Sequence, residues 1–75
     1  MVDVELADEI EEVLEELGPM TPEEVLEEIT ERGSEVTKKI FPLLNVKVTL
    51  GVMVDAGVLE EERGEGLEKY YKLAE

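Results

Sequence analysis

The sequence predicts an α+β domain: three helices, then a two-stranded antiparallel hairpin. Three observations predict it. Apolar residues recur at spacings of three and four between Leu6 and Leu17, the signature of an amphipathic helix. Thr21-Pro22-Glu23-Glu24 is a helix-opening capping box. The C-terminal third is short apolar stretches punctuated by Gly57, Gly64 and Gly66, as a hairpin requires. Seventy-five residues support one core, so 1–75 reads as a single domain.

The first helix runs from near Asp3 to Leu17, with Leu6, Ile10, Val13, Leu14 and Leu17 on one stripe. Asp3 is the expected N-cap, and Gly18 followed by Pro19 ends the helix. Its other face carries like-charge i,i+4 pairs: Glu5/Glu9, Asp8/Glu12, Glu11/Glu15 and Glu12/Glu16. Such a face reads as solvated, with docking of a basic partner as its functional alternative. In the second helix Thr21 caps, Pro22 occupies the first turn, and Val25, Leu26 and Ile29 form the buried stripe. Glu28 and Arg32 make a favourable i,i+4 pair before Gly33 terminates it.

A short helix is expected from Ser34 or Thr37. Pro42 either kinks or ends it, or opens the next helix. Phe41, the only phenylalanine, reads first as a core plug and otherwise as a contact residue. Val46 to Val54 carries two periods at once. Val46, Val48, Leu50, Val52 and Val54 alternate as in a half-buried strand, whereas Val46, Leu50, Met53 and Gly57 follow helical spacing. The third helix is assigned here, with a strand turning at Asp55-Ala56-Gly57 as the alternative. The hairpin follows: Val58–Glu62, a turn at Arg63-Gly64-Glu65-Gly66 with both glycines at positive φ, and a return strand Leu67–Leu73. Tyr71 and Leu73 are expected inside and Tyr70 outside. Glu60 or Glu62 is expected to pair with Lys69 or Lys72.

Charge constrains function. Twenty-one acids against seven bases give a net of −14. Residues 1–35 carry −13 of it, with Arg32 their only base. Between Val36 and Val54 there is no acid, and Lys38, Lys39 and Lys47 lie there. The overall field repels phosphate, while a local basic face survives. Eighteen of the acids are glutamate, a good helix former, which suits long solvated helix faces. With no cysteine or histidine, there is no disulfide framework, thiol nucleophile or imidazole base. Opposed carboxylates would need a dry pocket that a chain this short offers little room for. The expectation is a non-enzymatic, cytoplasmic protein with no cofactor, no metal, no membrane segment and no small-molecule substrate.

Helix, capped helix, helix and hairpin together resemble the winged-helix superfamily over nearly the whole chain. The resemblance is carried by Thr21-Pro22-Glu23-Glu24, Leu50 and Met53, Gly57-Val58-Leu59, Gly64 and Gly66, and Tyr70-Tyr71-Lys72-Leu73. A designed or redesigned member accounts for the glutamate bias as readily as a natural one. Two departures stand out. Ser34 to Leu44 is longer than a minimal helix–turn–helix connection, and only Met20 is placed to act as the family's first strand.

In family members that bind DNA, the third helix enters the major groove and the hairpin, or wing, contacts the backbone. The resemblance then implies groove-facing positions at Asn45, Lys47, Val48, Thr49, Gly51, Val52 and Asp55. That is a poor reading head, with one lysine and no arginine. Exposed valines suit a protein contact better. The expected function is therefore a protein–protein or self-association module acting through Phe41, Val48, Val52 and the wing, its partner a protein or a second copy. The alternative is duplex-DNA binding through Lys38, Lys39, Asn45, Lys47, Thr49, Arg63, Lys69 and Lys72.

Overall fold

Asp3 caps the first helix as its sequence implies, its Oδ1 accepting from the Leu6 amide at 3.1 Å. A computed structural model describes residues 3–75. Helix α1 spans Val4–Leu17, α2 spans Pro22–Glu31 and α3 spans Pro42–Asp55. A single 3-10 turn, Glu35–Lys38, sits between α2 and α3. Strands β1 (Leu59–Arg63) and β2 (Lys69–Leu73) close the chain as an antiparallel hairpin, with Leu59 opposite Leu73 and Arg63 opposite Lys69. Three helices followed by a two-stranded hairpin are thus the observed architecture, compatible with a winged-helix-like shape.

The local signals act where the sequence puts them. The capping box closes reciprocally: Thr21 Oγ1 accepts from the Glu24 amide at 3.2 Å, and the Thr21 amide donates to Glu24 Oε1 at 2.9 Å. Helices α2 and α3 end alike, on a glycine at positive φ. The Gly33 amide donates to Thr30 and that of Ser34 to Ile29; the Gly57 amide donates to Val54 and that of Val58 to Met53. These paired bonds satisfy carbonyls that the last helical turn would otherwise strand. Ser34, buried, begins the 3-10 turn: its Oγ donates to Glu9 at 3.0 Å and accepts from the Val36 amide at 3.2 Å.

One core joins every element. It comprises Leu6, Ile10, Val13 and Leu14 of α1, Val25 and Ile29 of α2, Val36, then Val46, Leu50 and Met53 of α3, with Leu59 and Tyr71 from the hairpin. Outside the core, Arg32 binds α2 to α1. Its guanidinium reaches Glu16 at 2.7 Å and Glu12 at 3.8 Å as well as Glu28 at 3.3 Å. The lone base of residues 1–35 thereby meets the densest part of the acidic surface. Met20 docks the hairpin to the helices: its amide donates to the Tyr71 carbonyl at 3.1 Å and its carbonyl accepts from the Tyr71 amide at 2.8 Å. The one-residue bridge at Met20 stands where the resemblance places a first strand.

Val46–Val54 is helix throughout, as assigned, and not the alternative strand. Other expectations are corrected: Pro42 opens that helix rather than kinking or ending the one before. Proline suits a first helical position because its missing N–H has no partner there to lose. Leu17 is exposed, since the helix ends before the core can cover it. Phe41 is exposed rather than plugged into the core, because as the residue before Pro42 it is kept out of helical geometry at the N-cap, with φ −127° and ψ 78°. The hairpin is shifted too: Val58 precedes β1, Arg63 belongs to β1, and β2 begins at Lys69, leaving Leu67 exposed at the tip. Gly64 and Gly66 are not at positive φ. With five residues, Gly64–Glu68, between the strands, the connection closes without left-handed glycine.

Candidate functional site

Helix α3 is apolar on both faces, and the core can use only one. Val46, Thr49, Leu50 and Met53 are buried against α1, α2 and the hairpin. The opposite face carries Phe41 at the N-cap, then Leu44, Val48 and Val52, at spacings of three and four. With Ile40 these form one apolar strip, whose exposures run from 37% at Val52 to 87% at Ile40. Gly51 lies within it, half-buried and beside Val48 and Val52, and a Cβ added there would meet no atom within 4 Å.

The strip lies in the stretch without acids. Lys47, exposed, flanks it, while Lys38 and Lys39 precede it. Asp55, exposed, closes the helix at the end where the helix dipole is negative, a placement that disfavours a carboxylate. Apart from Glu35 on the 3-10 turn, which pairs with Lys38, and Asp3 and Glu75 near the ends, the other acids lie on α1, α2 and the hairpin. The molecule is therefore divided into a densely acidic surface and one apolar, weakly basic face.

The three expected protein-contact residues Phe41, Val48 and Val52 come together on this face. The strip also includes Ile40 and Leu44, which the sequence reading did not single out. The signal for them is the continuation of the Val52–Val48 spacing back through Leu44 to Phe41, legible once Pro42 is placed at the helix start. The expected nucleic-acid set is scattered by comparison. Thr49 is buried on the core face of α3 and cannot reach a ligand, which corrects its placement in the groove-facing set. The Asn45 side-chain amide donates to the Phe41 carbonyl at 2.9 Å, closing the helix's own first turn. Lys38 pairs with Glu35 at 3.1 Å. Lys72 lies across the hairpin against Glu62 at 2.8 Å and Glu60 at 3.8 Å, which realises one of the expected cross-strand pairs. Lys69 instead faces Arg63, its like-charged register partner. Lys39, Lys47, Arg63 and Lys69 make no ion pair among the described residues.

Beside the strip an open groove of about 310 Å³ runs between α2, α3 and the hairpin tip. Pro22, Tyr71 and Leu67 give it an apolar floor and rim, and Lys47, Lys69, Glu23 and Glu68 set alternating charges around it. Burial, then the charge of Glu61, pushes the Tyr71 phenol up, and its hydroxyl donates to Glu61 at 3.4 Å. The Lys72 ammonium is also held up, first by its hydrogen bond to Glu62. Among the described residues no cluster of three potential ligands is arranged to hold a metal ion, and no helix is long and apolar enough to cross a membrane. No protein-family model matches the chain, and searches of curated proteins and of solved structures find no match.

Proposed function

We propose that this protein is a non-enzymatic interaction module of winged-helix type that docks another polypeptide on the exposed face of α3. The observation that carries this reading is the strip Ile40-Phe41-Leu44-Val48-Val52, continuous and apolar on a helix whose other face already supplies the core. Its five large apolar residues are each between 37% and 87% exposed, and apolar patches of this kind commonly mark contacts. Leaving it wet has a cost that a partner helix would remove. The acids support the non-enzymatic part, because they lie along exposed helix faces and strand edges rather than opposed across a dry cavity.

The duplex-DNA reading draws on Lys39, Lys47, Arg63 and Lys69, four cations free of ion pairs among the described residues. It is weakened by the burial of Thr49, by the internal engagement of Asn45 and by a net charge of −14. One amide-resolved NMR titration separates the two. The probes are a short amphipathic helical peptide with leucines at heptad spacing and glutamate flanks, and a short duplex of random sequence at low salt. Protein docking predicts saturable shifts at Leu44, Val48 and Val52 with the peptide, lost in Val48→Glu, and none with the duplex. Shifts with the duplex at Lys39, Lys47 and the hairpin that fade as salt rises would overturn the reading in favour of DNA. Peptide shifts absent, or spread over α1 and α2, would overturn it outright.

A further inference from the structure

Gly51 is unexplained within the monomer. A helix-interior glycine is destabilising relative to alanine. Here neither positive φ nor close packing requires it, since its φ is not positive and a Cβ would meet nothing within 4 Å. A residue without a side chain on an otherwise apolar exposed strip is a notch, suited to close approach by a second backbone or a large side chain. Asp55 is likewise unexplained, a carboxylate at the negative end of its own helix with no ion pair among the described residues.

Both features find partners if a second α3 lies antiparallel on the first. Phe41 and Gly51 are ten positions apart, roughly 15 Å along a helix. A two-fold axis midway between them sets each Phe41 over the other copy's Gly51. The same register faces Leu44 with Val48, so a larger residue meets a smaller one. Beyond Phe41 the chain leaves the helix, and Asp55 of each copy overhangs the turn of the other that carries Lys39, which has no ion pair among the described residues, beside Lys38, already held by Glu35. A parallel pair would instead set Lys38-Lys39 against themselves and Asp55 against Asp55. The acidic surfaces of α1 and α2 are not needed for this contact. With only five large apolar residues a side, the contact sits at or below the lower edge of about 1,000 Å² for a specific interface.

We infer that the protein forms a two-fold homodimer through antiparallel packing of α3 on α3, with Phe41 of each copy seated in the Gly51 notch of the other. This rests on the reading of the α3 face as a protein contact and names its occupant as a second copy. The small area makes the dimer weak, with Kd on the order of 10–100 µM. Because each copy carries −14, added salt screens the long-range repulsion and tightens the dimer.

The test is sedimentation equilibrium of the full chain from about 10 µM to about 1 mM, at low and high salt. The mass should rise from the 8.4 kDa of one chain towards twice that, further at high salt. Gly51→Ala should weaken association about tenfold while raising the Tm of dilute protein by about 4–8 °C, a combination that a folding defect cannot produce. Phe41→Ala should weaken it similarly. Asp55→Lys alone should weaken the dimer, and adding Lys39→Asp to the same chain should restore it. A monomer at every concentration and salt, or a dimer indifferent to Gly51→Ala and Phe41→Ala, would overturn the inference. If the chain stays monomeric while the amphipathic peptide still docks on α3, only the second copy falls. If the peptide fails as well, the contact reading falls with it.

Discussion

Val46 and Val48 are two residues apart and have opposite fates, which makes them the sharpest probe of α3. Val46 is 0% exposed and Val48 57% exposed. Replacing valine by alanine removes two methyl groups, a transfer loss of about 1.6 kcal/mol when the side chain is fully buried. At Val46 the residual cavity raises the loss to roughly 2–3 kcal/mol. Alanine's better helix propensity returns about 0.5 kcal/mol, leaving a net destabilisation of about 2 kcal/mol. At Val48 less than half the transfer loss applies, and the propensity gain cancels most of it. Val48→Ala should therefore fall within about 0.5 kcal/mol of the parent. Urea unfolding followed by far-UV circular dichroism reads both. With an m-value near 1 kcal/mol/M for a chain this small, Val46→Ala should lower the midpoint by about 2 M and Val48→Ala by less than about 0.5 M. A strand would put both residues on one face, and comparable losses at the two sites would refute the helical assignment. The loss at Val46 is large against a total stability of roughly 4–11 kcal/mol for a domain of this length. The experiment should be run on dilute protein, so that self-association does not add to the apparent stability.

Two further outcomes follow from the local chemistry. Thr21→Ala removes one half of the capping box and should cost about 1 kcal/mol, with Thr21→Ser recovering most of it; equal losses in the two variants would mean the cap bond contributes little. At alkaline pH the hairpin should weaken. The folded-state pKa values of Tyr71 and Lys72 are both raised from 10.0 and 10.5, so their stabilisation is complete below those values and is lost as pH climbs through the folded ones. Tm should accordingly decline above about pH 10, and Tyr71→Phe should remove the tyrosine's share of that decline. A variant that declines as steeply as the parent would show that ionisation of Tyr71 contributes nothing to the decline.

Signals that operate within a few residues were legible in the chain. Asp3, the Thr21–Glu24 box, Gly33 and Gly57 each satisfy helix-end groups close by in sequence, so residue type and spacing suffice to place them. The stripes of α1 and α2 were equally plain, because polar residues on their outer faces mark the apolar side. Helix α3 had no such contrast. Valines on both faces fit a strand as well as a helix, and the choice was made by the core, which accepts Val46, Leu50 and Met53 together only in helical geometry. For the same reason the sequence could nominate Val48 and Val52 but could not assemble the strip. Whether Phe41 is core or surface depends on where Pro42 starts the helix and on whether α1 and α2 have already filled the interior. Thr49 shows the converse: a polar side chain at a nominated contact position was turned into the core by the rotation of α3.

The sequence by itself determined α1 and α2, their caps and the segregation of −13 of the charge into residues 1–35. These depend on local hydrogen bonding and composition. Tertiary structure alone decided which face of α3 remains open, that Arg32 bridges α1 and α2, and that Met20 pins the hairpin through Tyr71. Each of these joins groups far apart in sequence, and packing geometry selects among pairings that local preference leaves equal.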